Sequence, residues 1–384
     1  MTGITERARA VEQSSIRLMF DMAEASDQDL VRLEVGEPDF DTPEHIVDAA
    51  HDAAQAGHTH YTSNAGLPEL REAISDTMRD EFDVRVDPDE VVVTNGGMEA
   101  LHLAVLATVG PGEELLLPSP TWPNYRGQAL LADGVPVEVP MPAAEGYPLD
   151  PDRVRDAMSE DTAAVVLCSP SNPTGQVYEE DAIRAVVAAA ADHDAYVVAD
   201  EVYAGLSYDR DVTGIAALTD HPDHVLTVNS CSKSYAMTGW RLGWLAGPSE
   251  ATDEVTKMHE STTACASSVA QHAALAALTG PQEPIEEMYE TFRERRDYVV
   301  DRIEAIEGFS CPRPEGAFYA FVDPDVEASS LDVAKELLTD YGVVLAPGDG
   351  FGEAGEGQLR LSFANDMDRL ETGFDRIERF FDDR

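Results

Sequence analysis

Short apolar runs recur through the middle of this chain, at residues 91–94, 114–117, 135–139, 163–168, 196–199, 225–228 and 242–246, with stretches of helical periodicity between several of them. Runs that are apolar at nearly every position cannot face water on either side. Alternating with helices, they specify a mostly parallel sheet covered on both faces. The chain is therefore expected to be α/β, with a large domain built on that sheet. Pro281 and Pro284 open a long helix carrying Ile285, Met288, Tyr289, Phe292, Val299, Ile303 and Ile306 at helical spacing, and the border to a smaller domain is drawn near its start. Past it, strands at 317–322, 343–346 and 358–363 lie among helices, the last one capped by Asn365 and striped with Leu370, Phe374, Ile377 and Phe381. This part reads as α+β. A large domain over residues 42–280 and a small domain from residues 1–41 and 281–384 follow as the expected division. The leading segment contributes a serine-capped amphipathic helix at 14–25 and a brief strand at 31–35.

Ligands of open α/β sheets bind beyond the carboxyl ends of the strands. After the run 225–228 the chain reads Ser230-Cys231-Ser232-Lys233-Ser234-Tyr235-Ala236-Met237-Thr238-Gly239-Trp240-Arg241. A lysine between hydroxyls, with an arginine shortly after, offers an amine able to form a Schiff base and donors suited to a phosphate ester. Pyridoxal phosphate needs both. The only other lysines, Lys257 and Lys335, stand in polar helical stretches that read as solvated, so Lys233 is the candidate amine. Two other readings compete: an ordinary surface lysine, and a serine nucleophile in the Ser-x-x-Lys pattern of Ser230 and Lys233. The latter class also carries Lys-Thr-Gly, which occurs nowhere here.

Other strand ends supply complementary groups. Asp200 follows an apolar run directly, where a carboxylate could keep a pyridine nitrogen protonated and so make the ring an electron sink. Asn172 and Tyr203 could hydrogen-bond a ring hydroxyl, and Trp122 could stack on the ring. Asn95-Gly96-Gly97-Met98 joins a strand to a helix start, a geometry that presents backbone N–H groups to a phosphate. Gly36-Glu37-Pro38 is a turn with bare backbone where a substrate could approach closely. Gly350, Gly352 and Gly355 spell G-x-G-x-x-G after a strand, but another strand follows instead of a helix, so this reads as a flexible substrate-side loop and not as a dinucleotide fingerprint.

Composition narrows the function classes. Asp and Glu number 74 against 26 Lys and Arg, a formal net charge of −48, which argues against nucleic acid or anionic membrane as a partner. The charges are spread between apolar runs and not gathered in a tail, so they describe a solvated surface; with lysine so scarce, that surface is like those of proteins from salt-accumulating microbes. No leading apolar segment or membrane-length run is present, and a cytoplasmic location is expected. Cys168, Cys231, Cys265 and Cys311 lie far apart without metal-ligand spacing and are expected as free thiols, Cys231 as a small packed residue; no metal site is expected.

Taken together, these stretches resemble the class I/II aminotransferases of pyridoxal-phosphate fold type I. The resemblance is carried by Gly36-Glu37-Pro38-Asp39-Phe40, Tyr61-x4-Gly66-Leu67, Asn95-Gly96-Gly97, Asn172-Pro173-Thr174-Gly175, Asp200-Glu201-Val202-Tyr203, Ser230-x-Ser232-Lys233-x3-Met237-x-Gly239-Trp240-Arg241 and Pro314-Glu315-Gly316-Ala317-Phe318-Tyr319. It implies that Lys233 forms the Schiff base with the cofactor, that Lys233, Asp200 and Tyr203 are catalytic, and that Ser230, Ser232 and Arg241 hold the phosphate. Gly96, Gly97, Met98, Trp122 and Asn172 would complete the cofactor site, and Arg360 would clamp the substrate α-carboxylate beside Gly36 and Asn172. Tyr61 would reach the phosphate of a neighbouring subunit, which implies a homodimer with shared active sites. Substrates implied are an L-amino acid and a 2-oxo acid. Met98 stands where some aspartate-using relatives carry lysine, while Trp122-Pro123-Asn124 is similar to aspartate enzymes; a broad or aromatic preference with 2-oxoglutarate as acceptor is expected.

Overall fold

Every residue of Val91–Thr94 and Val225–Ser230 is buried, as strands covered on both faces must be. The computed structural model describes residues 3–384. After a two-residue strand β1 (Val31–Arg32), the strands β2 (Val91–Thr94), β3 (Glu114–Ser119), β4 (Val135–Pro140), β5 (Thr162–Cys168), β6 (Tyr196–Asp200), β7 (Val225–Ser230) and β8 (Gly243–Ala246) form one seven-stranded sheet in the order β2-β8-β7-β6-β5-β3-β4. The sheet is parallel from β4 through β7, whereas β8 runs antiparallel to both its neighbours. The short link from β7 to β8, which carries the lysine motif, allows an antiparallel return without a crossover helix.

Register decides where the site forms. Cys168 pairs with Asp200, Asp200 with Val228, and Ser230 with Gly243. The segments bearing Asn172, Asp200 and Lys233 therefore leave the sheet at one edge, side by side.

The two ends of the chain meet on a second body of structure. Strand β1 pairs in parallel with β10 (Val343–Val344), and β9 (Tyr319–Val322), β11 (Ala346–Pro347) and β12 (Leu359–Ser362) form an antiparallel sheet in the order β11-β12-β9. The single strand expected at 343–346 is thus two, with buried Leu345 at the step between sheets. The expected strand at 31–35 shrinks likewise, because beyond Leu33 the backbone turns toward the cavity described below.

The long helix Glu283–Ala305 has Pro284 in its first turn, where a missing N–H costs nothing. It buries two arginines: Arg295 makes a bidentate pair with Asp39 at 2.6 and 2.9 Å, and Arg296 pairs with Asp209 and donates to the Pro314 carbonyl. The final helix, Met367–Asp382, is capped by Asp366, whose side chain accepts from the Arg369 N–H at 2.8 Å. Asn365, expected as the cap, instead donates to the Arg32 carbonyl and ties the helix start to β1. Phe380, not Phe381, is the fully buried member of its last turn.

Candidate active site

The loop after β7 is built from its own hydroxyls. The Ser230 hydroxyl lies 2.8 Å from both Ser232 Oγ and the Leu242 carbonyl oxygen, and it accepts the Ser232 N–H at 3.0 Å. Cys231 points the other way into the core, and burial pushes its thiol up to about 12, so it is an inert packed residue. The loop closes at Arg241, which adopts a left-handed φ of 54° and donates to the Thr238 carbonyl. Its guanidinium covers Gly96, where a Cβ would lie 2.5 Å from Nη2 and where φ is +85°; both facts demand glycine. From Gly97 the helix Gly97–Thr108 starts, so its free N–H groups face the same pocket as Arg241 and the two serines.

These elements enclose a cavity of about 570 Å³. Lys233 reaches into it and donates to the Gly36 carbonyl at 2.7 Å, with the rings of Tyr203 and Phe318 within 6 Å. Burial first, and then the charge of Arg360, lower its amine to about 8 from an ordinary 10.5, against the pull of Glu37 and Asp200. Asp200 is 4% exposed. Burial raises its carboxyl, opposed by the Tyr125 hydroxyl, which donates to Oδ2 at 2.6 Å, and by the Val202 N–H. Trp122 lines the cavity and meets Tyr125 edge to face, ring centroids 5.5 Å apart.

Opposite Lys233, Arg360 is 5% exposed and held on three sides. Nη1 donates to Asn172 Oδ1 at 3.0 Å, Nη2 donates to the Glu34 carbonyl at 2.7 Å, and the guanidinium lies over the rings of Tyr319 and Phe351 at 4.4 and 5.0 Å. Its Nε is buried and has no partner among the described residues. Tyr319 shares a hydrogen bond of 2.9 Å with Tyr203, and a Cβ on Gly36 would strike the Tyr319 hydroxyl at 2.5 Å.

Of the residues singled out from the sequence, Gly36, Gly97, Met98, Trp122, Asn172, Asp200, Tyr203, Ser230, Ser232, Lys233, Arg241 and Arg360 all line this cavity, and Gly96 supports it from beneath Arg241. Tyr61 does not: it stands on the surface, 89% exposed. The glycine-rich segment forms two 3₁₀ turns, Gly348–Phe351 and Glu353–Gly355, wedged in place by Phe351, which is buried beneath Arg360. It is a packed support and not the loose loop expected, because the apolar side chain between the glycines fills the space under the guanidinium. Sequence reasoning gave no role to Tyr125, Tyr319, Phe351 or Arg17. Tyr125 follows Trp122 by three residues at the start of a helix, a spacing that could have drawn attention to it.

The cavity suits pyridoxal phosphate on its own chemistry: a lysine amine of lowered proton affinity, a buried carboxylate, and hydroxyls, a guanidinium and helix N–H groups of the kind that bind a phosphate. Fold and site together define a pyridoxal-phosphate enzyme of the aspartate aminotransferase-like kind. A family model described as aminotransferase class I and II matches residues 28–377. The sequence is 38% identical to the aspartate/prephenate aminotransferase of Thermus thermophilus, covering 99% of both chains, and 37% identical to an aspartate aminotransferase of Bacillus subtilis over 93% of this chain and 92% of that one. A crystal structure of a Pyrococcus protein named A1 superposes with a TM-score of 0.96 at 36% identity, covering 99% of this chain and 98% of that one. The chain belongs to the class I and II aminotransferases and is a pyridoxal-phosphate-dependent transaminase.

Proposed function

We propose that the enzyme moves the amino group of a broad set of L-amino acids, aromatic and neutral ones preferred, to 2-oxoglutarate. The observation that carries the reading is the convergence of Lys233, Asp200 and Arg360 on one cavity whose remaining wall includes the apolar side chains of Ile16, Phe20 and Trp122. Bound there, pyridoxal phosphate supplies an electrophilic carbon and an electron-poor ring that stabilises negative charge at the substrate Cα. Ser230, Ser232, Arg241 and the N–H groups that begin with Gly97 hold the phosphate, with Gly96 giving Arg241 room. Asp200 would keep the ring nitrogen protonated, Asn172 and Tyr203 would bind the ring hydroxyl, and Trp122 would stack on the ring. Lys233 would hold the cofactor at rest, and its amine, whose proton affinity burial lowers in the cofactor-free cavity, would move the Cα proton. Arg360 receives the substrate carboxylate in a bidentate pair, its donors already fixed by Asn172 and Glu34.

The same proposal makes the protein a cytoplasmic, salt-adapted homodimer, with Tyr61 of each subunit reaching the phosphate site of the other; the near-complete exposure of that tyrosine supports it. It divides the chain into a large domain over 42–280 and a small one from 1–41 and 281–384. A second reading, aspartate aminotransferase, draws support from the names of the two relatives above. A lyase or synthase of the same fold would keep every cofactor contact. A panel of amino acids with 2-oxoglutarate at high salt separates the three: the proposal expects several aromatic and neutral donors to yield 2-oxo acids, the second expects aspartate far ahead, and release of ammonia or a broken carbon skeleton would point to the third. Borohydride reduction and peptide mapping are expected to find the pyridoxyl group on Lys233; finding it on Lys257 or Lys335 overturns the site.

A further inference from the structure

The cavity sits in a chain of net charge −48, yet among the described residues four cations line it: Arg17, Lys233, Arg241 and Arg360. Three have work in the proposed reaction. The anions beside them are engaged as well: Glu34 with Arg32, Glu37 with Thr238, and Asp200 with Tyr125. Arg17 is left over.

Arg17 lies in the first turn of the helix Ser15–Glu24, on the same wall as Ile16 and Phe20. Among the described residues its one ionic partner is Asp21, at 2.9 Å, and the two side chains are 59% and 45% exposed. Exposed pairs of this kind are worth about 0–1 kcal/mol, so a competing anion can take the guanidinium at little cost. Asp21 keeps a partner when that happens, because Gln13 Nε2 donates to its other oxygen at 3.0 Å. The guanidinium also rests 4.8 Å from the centre of the Phe20 ring, which keeps it at the cavity wall.

The backbone beneath Arg17 is fixed relative to Arg360. Ser14 caps the helix by accepting the Arg17 N–H, Ser15 donates to Asp349 at 2.7 Å, and Gly350 abuts Ile16 so closely that a Cβ would lie 2.7 Å from it. Asp349 and Gly350 belong to the same turn as Phe351, which underlies the Arg360 guanidinium. One rigid turn therefore spaces the two cations. Met98, at the start of the neighbouring helix, offers no charge that could share the task.

We infer that Arg17 is a specificity-determining residue that binds the second carboxylate of a dicarboxylic substrate whose first carboxylate is held by Arg360. The inference rests on the transaminase reading for the role of Arg360, and it deepens that reading by explaining how one cavity admits both apolar side chains and a dianionic acceptor.

The test is equilibrium binding to the holoenzyme of two unreactive acids, glutarate with two carboxylates and butyrate with one, followed by the visible absorption of the bound cofactor. In the wild type, glutarate is expected to bind more tightly than butyrate. In Arg17→Met the glutarate-to-butyrate affinity ratio is expected to fall about ten- to a hundredfold, the value of a charge-assisted hydrogen bond, with partial recovery in Arg17→Lys. Asp21→Asn, which removes the competing anion, is expected to raise that ratio, by no more than about fivefold. Equal affinities in the wild type, or an unchanged ratio in Arg17→Met, would overturn the inference. Because the binding arm needs no turnover, it reads Arg17 even if the amino-acid panel shows that the reaction proposed above is wrong.

Discussion

The Tyr125 hydroxyl donates to Asp200 across 2.6 Å, and both side chains are cut off from water. An ionised carboxylate in such a place is unfavourable unless donors or a cation face it. Tyr125 therefore favours the charged form of Asp200, which a protonated ring nitrogen requires, against the burial that raises its carboxyl. Tyr125→Phe removes the donor, so the Asp200 carboxyl protonates at higher pH. Turnover is expected to fall about ten- to a hundredfold, and the acid limb of its pH profile to move upward. An unmoved acid limb with wild-type turnover would contradict the role.

Replacement of Asp200 by alanine leaves Ser230, Ser232 and Arg241 untouched. Cofactor binding is expected to stay measurable by equilibrium dialysis, while turnover drops about 10²- to 10³-fold, as for other losses of buried electrostatic stabilisation. Unchanged turnover would remove the aspartate from the reaction.

Burial of Lys233 carries a stability cost in the cofactor-free protein. Its amine falls to about 8 in the folded chain from an ordinary 10.5, so between those values the unfolded chain binds more protons and stability rises with pH. At pH 7 the penalty is about 3 kcal/mol, and at pH 10 it is under about 1 kcal/mol. Urea unfolding of cofactor-free Lys233→Met should show a gain on the order of 1–3 kcal/mol at pH 7 that shrinks toward pH 10, alongside lost activity. A destabilised variant at neutral pH would show that the amine is not penalised.

For Arg360→Lys the charge survives but the planar fork does not. Affinity for amino and 2-oxo acids is expected to fall at least tenfold, with the absorption of the bound cofactor preserved. Loss of cofactor binding would contradict a substrate role.

The charge of −48 predicts salt dependence. Repulsion acts over roughly 30 Å at 0.01 M salt and about 3 Å at 1 M, and folded proteins are stable by only about 5–15 kcal/mol. Activity and dimerisation are expected to need molar salt and to fade together on dilution. Sedimentation and assays before and after low-salt dialysis check this; no change in either refutes it.

What could be read from the sequence was whatever has a local cause. Lys233 stood out because lysine is nearly absent, and Asp200 because a carboxylate ends an apolar run. Phe351 and the buried pair Arg295 and Arg296 could not be seen that way, and Tyr125 offered only its spacing from Trp122: their meaning lies in partners far along the chain, Arg360, Asp39, Asp209 and Asp200. Asn365 and Asp366 are both good caps by residue type, and the choice between them came from the Arg32 carbonyl that claims Asn365. Tyr61 is legible only through resemblance, since its surroundings in one chain are solvent.

The poverty of amines in this protein has a practical side. Acylating and reductive-alkylation reagents attack unprotonated amines; Lys257 is held protonated by Glu254, whereas Lys233 is half-deprotonated near pH 8. With only Lys257 and Lys335 beside it among the lysines, Lys233 is readily told apart by peptide mapping after a mild reagent is applied at that pH to the cofactor-free chain, and bound cofactor would hide it. Chemical modification followed by mapping of the Lys233 peptide can thus count vacant sites in a mixed preparation.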